Sequence, residues 1–173
     1  KAAKRLMNLD RFYTAAVFRD PIEHLASHLC WVKYIGADSK SEFFKSHQRD
    51  IQKLALQIQS VDFSKPVELK EFLNSTNPTM NNLFDNCQLR YLLSEELQGR
   101  VGYDELLMAK RTLDEIDVIG VTEHLDSFVA RVGELMKISY PESTPNRNAQ
   151  GNRFGLDVLN GDTIRAMLPF TQF

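Results

Sequence analysis

The stretch "FYTAAVF" at 12–18 is apolar apart from Thr14 and the Tyr13 hydroxyl. An apolar run of this length without polar alternation predicts a strand covered on both faces, as in a parallel sheet. It gives way abruptly to "RDP". Asp20 is a good N-cap, Pro21 suits a first helical turn whose N–H groups have no partner, and Glu23 supplies the acid of a capping box. Ile22, Leu25, Ala26, Leu29 and Cys30 then recur at helical spacing, and Gly36 is expected to stop the helix. The opening segment is therefore expected to be strand, turn and helix.

Helical patterns follow at 41–59, 65–74, 80–98 and 103–115, divided by turn formers that include Ser60, Asp62, Ser75, Asn77, Pro78, Gly99 and Gly102. At 117–121, "DVIGV" is a second short β-branched run. Thr122 is its expected N-cap, and Leu125, Phe128, Val129, Val132 and Met136 mark one face of the next helix. Residues 139–155 are rich in Pro, Asn, Ser and Gly and predict a long loop before a short helix near 161–168. Loops longer than about 12–15 residues in a compact domain are generally functional or disordered. Two strands among so many helices predict an α/β domain whose parallel sheet is incomplete. Sequence on the N-terminal side or a partner chain is expected to complete it.

Composition narrows the class. With 173 residues, 43% hydrophobic and 25% charged, the chain is expected to form one soluble globular domain over 1–173. The net charge of −2 argues against a broad grip on nucleic acid and leaves room only for a focal basic site. Cys30 and Cys87 are too few and too far apart for a disulfide framework or a zinc site, and both are expected as buried thiols. No run of about 18 apolar residues occurs, so no membrane segment is expected.

In open α/β sheets ligands bind beyond the carboxyl ends of the strands, which is where Arg19 falls. A helix N-terminus beside it adds N–H donors and partial positive charge. Ser27 lies nearly two turns beyond Asp20, on the side of the helix away from the apolar stripe. A guanidinium and a hydroxyl so spaced suit one phosphate. The plainer alternatives are an ion pair between Arg19 and an acidic neighbour, and a solvated helical serine.

The segment "FRDPIEHLASHL" resembles the 3′-phosphate-binding motif of sulfotransferases that use 3′-phosphoadenosine 5′-phosphosulfate (PAPS). "FDNCQLRYLL", "LLMAKRTLDEIDVIGVTEHLDSFVARV" and "PNRNAQGNRFG" are similar to segments of the branch holding bacterial sulfotransferases and animal uronosyl and heparan sulfate O-sulfotransferases. The resemblance implies a P-loop-NTPase-like sulfotransferase fold, a parallel sheet flanked by helices, incomplete and helix-rich in this chain. It implies that Arg19 and Ser27 bind the 3′-phosphate of PAPS, with Arg147 as a further ligand, and that no metal is needed. It also implies sulfuryl transfer to a hydroxyl of a carbohydrate or other alcohol, by in-line attack with charge stabilisation at the leaving oxygen. His24 and Leu29 depart from the family pattern, which more often has Arg and Tyr there.

The family's Gly/Lys loop for the 5′-phosphosulfate and its His or Glu base lie upstream of the Arg-Asp-Pro motif. Neither is found before Arg19, so an N-terminal portion beyond this chain is expected to carry them. A bacterial cytoplasmic setting is expected over a Golgi lumen. The rival expectation is a non-catalytic helical interaction module that retains the fold. His24, His28, His47 and His124 are expected to be structural or exposed, Glu123 to complement a helix dipole, and Asn86, Gln88 and Arg90 to lie on a solvated face.

Overall fold

The computed structural model describes residues 12–75, 78–93, 97, 99–139 and 154–173. In chain order the elements are β1 (Ala15–Phe18), α1 (Pro21–Gly36), α2 (Glu42–Lys45), α3 (Arg49–Gln57), a 3-10 turn (Ile58–Ser60), α4 (Pro66–Asn74), α5 (Pro78–Phe84) and α6 (Cys87–Leu92). They continue with α7 (Tyr103–Leu113), β2 (Val118–Val121), a 3-10 turn (Thr122–His124), α8 (Leu125–Met136), α9 (Gly161–Met167) and a 3-10 turn (Leu168–Phe170). The protein is a helix-rich α/β chain with a small parallel sheet. No helix among the described residues is long and apolar enough to cross a membrane.

The chain forms two compact units. Of the described residues, the first comprises 12–20, 88–93 and 102–139; the second comprises 21–75, 78–87, 97, 99–101 and 154–173.

In the first unit β1 and β2 pair in parallel, from Ala15 opposite Val118 to Phe18 opposite Val121, and α8 packs against both strands. The strand at 12–18 is shorter than expected, and it is not covered on both faces. Ala15 and Val17 are exposed, Ala16 and Phe18 are half-buried, and in β2 only Val118 is buried. Two strands of four residues offer too narrow a face for a layer on each side. β1 begins late because Thr14 is engaged sideways: its N–H and hydroxyl donate to Asp117 Oδ2 at 2.7 and 2.9 Å. Thr122 is not the N-cap of α8. His124 holds that position with no side-chain cap bond, and the Thr122 hydroxyl is engaged by the Glu123 carboxylate instead.

The second unit is an all-helical layer packed around Leu29, Val32, Leu54, Ile58, Phe63, Leu69 and Met167, all essentially inaccessible to solvent. Gly36 ends α1 as expected, but for a different reason. Its backbone is not left-handed; a Cβ there would lie 2.1 Å from the Ala55 carbonyl oxygen of α3, so its missing side chain is what permits the two helices to approach. The single helix expected at 41–59 is two, because side chains take up the carbonyls between them. The Ser46 hydroxyl donates to Phe43 O at 2.7 Å, and the Gln52 amide donates to His47 O at 2.7 Å. The helix expected at 80–98 also breaks, at Asp85 and Asn86. Asn86 is left-handed (φ 47°), and its N–H donates to Phe170 O at 2.7 Å. A buried asparagine with this tertiary partner corrects the solvated face expected for it. Asn160 caps α9 by accepting from Asp162 and Thr163 N–H at 2.8 and 3.2 Å.

Candidate functional site

Arg19 follows the last paired residue of β1 and belongs to the first unit; Ser27 lies on α1 and belongs to the second. Arg147 lies outside the described residues.

Around Arg19 the peptide backbone is clamped. Its N–H donates to Gln88 Oε1 at 2.7 Å, and the Gln88 amide donates back to Arg19 O at 2.8 Å. One side-chain amide thus satisfies both backbone groups where the ladder ends, as accounting for backbone polar groups requires. Gln88 is therefore not the solvated residue that its helical spacing suggested. The sequence held no signal for this, because the two residues are 69 positions apart. Beside them, Glu123 Oε1 accepts from Asp20 N–H at 3.4 Å. The Glu123 carboxyl is held below its ordinary range first by its own backbone N–H, then by Asp20 N–H, the Thr122 hydroxyl and the positive charge of Arg19. Glu123 is thus an acidic neighbour of Arg19 as well as a first-turn acid. Arg19, half-buried as a residue, stands at a strand terminus with its main chain held by the neutral Gln88 amide.

Ser27 is exposed on α1, between the buried Ala26 and the half-buried His28, and away from the Leu25, Leu29 and Val32 stripe that faces the core. Spacing correctly put it outside the core. His24 and His28, one turn apart on the same helix, bring their Nε2 atoms to 3.1 Å. His28 Nδ1 lies 2.9 Å from Leu83 O; a carbonyl only accepts, so this nitrogen carries the proton. Burial pushes the His28 pKa down, with the carbonyl bond opposing that shift. Cys87, buried at the start of α6, completes a cluster in which the two ring nitrogens and the sulfur all lie within 4.8 Å of one another. Counting cysteines overlooked this group, because two of its three members are histidines. Cys30 is half-buried rather than buried.

The other histidines lie elsewhere. His47 packs edge-on against Trp31 and Phe43, with ring centroids at 5.6 and 4.8 Å, and His124 is exposed in the turn after β2. No protein-family model matches the chain, and neither a curated protein nor a solved structure matches it.

Proposed function

We propose that this chain is part of a PAPS-dependent sulfotransferase and contributes the recognition of the cofactor's 3′-phosphate. Arg19 is the phosphate ligand that the first unit supplies, Ser27 is the second ligand that the sequence resemblance implies, and the acceptor is a hydroxyl of a carbohydrate or other alcohol. The observation that supports the reading best is at Arg19. It directly follows a strand of a parallel pair, its backbone is fixed by Gln88, and the Asp-Pro start of α1 comes next in the chain. In α/β proteins a parallel strand's carboxyl end is where ligands are bound, and a guanidinium there offers the planar fork that phosphate accepts.

In this reading Gln88 orients the Arg19 main chain, Glu123 limits the positive charge until the phosphate arrives, and Ser27 adds a neutral donor. The residues described here bind and orient; no base is assigned among them. Sulfuryl transfer then rests on holding the donor in line with an acceptor oxygen, as positioning dominates in the related phosphoryl transfers.

The test is ligand-induced stabilisation. 3′-Phosphoadenosine 5′-phosphate is expected to raise the melting temperature, and adenosine 5′-phosphate, which lacks the 3′-phosphate, is expected to do so far less. Arg19→Ala should weaken binding roughly ten- to a hundredfold, the range for losing a charge-assisted bond, and Ser27→Ala by about tenfold at most. Equal shifts from the two nucleotides, or an unchanged shift in Arg19→Ala, would remove Arg19 from the site.

A further inference from the structure

We propose that His24, His28 and Cys87 bind a zinc ion that clips α1 to the corner from Leu83 to Cys87 at the end of α5, all within the second unit. Three features of the cluster carry this.

The first is geometry. Two imidazole nitrogens on one zinc, each about 2.0–2.1 Å from it at a tetrahedral angle, lie about 3.3–3.4 Å apart. The two Nε2 atoms here are 3.1 Å apart, set by residues four apart on one helical face. A thiolate sulfur in the same shell lies about 3.5–3.6 Å from each nitrogen, so the 4.8 Å limit on the cluster leaves at most about 1.3 Å of closure for the Cys87 side chain.

The second is preparation of the ligand. Leu83 O accepts a hydrogen bond from Nδ1–H of His28, which leaves the Nε2 lone pair aimed at His24. Metal-bound histidines are held in the same way, with the distal N–H on a carbonyl that fixes tautomer and ring orientation. The carbonyl comes from α5, and Cys87 opens α6 just past the left-handed Asn86, so one backbone corner supplies both the orienting group and the sulfur.

The third is chemical softness. Two imidazoles and one thiolate, with no carboxylate, select zinc and its soft neighbours over magnesium, calcium or manganese. On binding, the Cys87 thiol releases its proton to solvent, and the proton that joins the two Nε2 atoms moves to Nδ1 of His24. Both nitrogens and the sulfur then donate lone pairs to the metal, and water takes the fourth position. No redox partner is required.

The inference is independent of the cofactor reading, and its readout is spectroscopic. The full chain, stripped with a chelator, is titrated with cobalt(II) and then with zinc. The expected result is a single cobalt ion per chain with a thiolate-to-cobalt band in the near ultraviolet and the intense visible bands of four-coordination, all displaced by zinc. Cys87→Ser should abolish the near-ultraviolet band, while Cys30→Ser should keep it. His24→Gln, at a half-buried position that spares the core, should weaken zinc binding at least about tenfold with unchanged far-ultraviolet circular dichroism. Magnesium should leave the melting temperature unmoved. Absence of the thiolate band, or zinc affinity equal to wild type in His24→Gln, would overturn the site and leave a hydrogen-bonded histidine pair beside a buried thiol.

Discussion

Among the described residues of the second unit, Asp85 is the most deeply buried polar one. It is 1% exposed, and its carboxylate accepts from Val101 N–H at 2.6 Å, Arg100 Nε at 3.3 Å and the Asn86 amide at 3.3 Å. The Arg100 guanidinium lies 4.3 Å over the Phe170 ring and also donates to Pro169 O. Removing the carboxylate strands a buried N–H, whereas removing the half-exposed arginine leaves the Val101 bond intact. Asp85→Ala should therefore cost roughly 2–4 kcal/mol in urea unfolding, and Arg100→Ala about half as much or less. Gly36 makes a sharper prediction. The atom that a Cβ would strike is backbone and cannot turn aside, so Gly36→Ala should lose about 1–3 kcal/mol or more through overpacking, visible as a lowered melting temperature. An unchanged melting temperature would contradict the close approach of α1 and α3.

At the level of elements, the junction of β2 and α8 predicts a response to pH. The carboxyl of Glu123 has its pKa depressed on folding, mainly by its own backbone N–H. The folded state therefore favours the charged form. That stabilisation is complete above the unfolded value near 4.5 and is lost as pH falls through the lower folded value. Glu123→Gln should flatten the acid limb of the first unit's stability curve and leave the neutral range nearly unchanged, measured as melting temperature against pH. The effect should be small, because the carboxylate is open to solvent. The same variant removes an acid beside Arg19, so it should tighten 3′-phosphate binding if Arg19 is the ligand. Periodicity showed that α5 and α6 are helical, but nothing in it marked the break at Asp85–Asn86, whose backbone and side chains answer to residues more than ten positions away.

For the whole molecule, discontinuity is the governing feature. Neither unit is a continuous segment, and residues 154–173 close the helical core through Leu156, Ala166, Met167 and Phe170. Phe173 N–H also donates to Asn86 Oδ1 at 3.0 Å, and Asn86 N–H needs Phe170 O. Met167→Ala should cost about 2–5 kcal/mol, the range for emptying a fully buried site. Deleting 154–173 should abolish the fixed packing of the second unit while sparing much of its helix content, read as lost near-ultraviolet against retained far-ultraviolet circular dichroism. Retention of both signals would mean that the C-terminal segment is not part of that core.

By itself the sequence determined the local features. The Asp-Pro start of α1, the apolar stripe that buries Leu25 and Leu29, the exposure of Ser27 and the pairing-competent runs at 15–18 and 118–121 all follow from spacing and turn chemistry within a few residues. Tertiary structure alone decided what depended on distant partners: Gln88 on the Arg19 backbone, Asp85 beneath Val101, Gly36 against Ala55, and Cys87 beside two histidines of α1. The physical reason is that periodicity records which side of an element is buried, whereas a hydrogen bond, a close backbone contact or a ligand set is made by whichever groups the fold brings within a few ångströms.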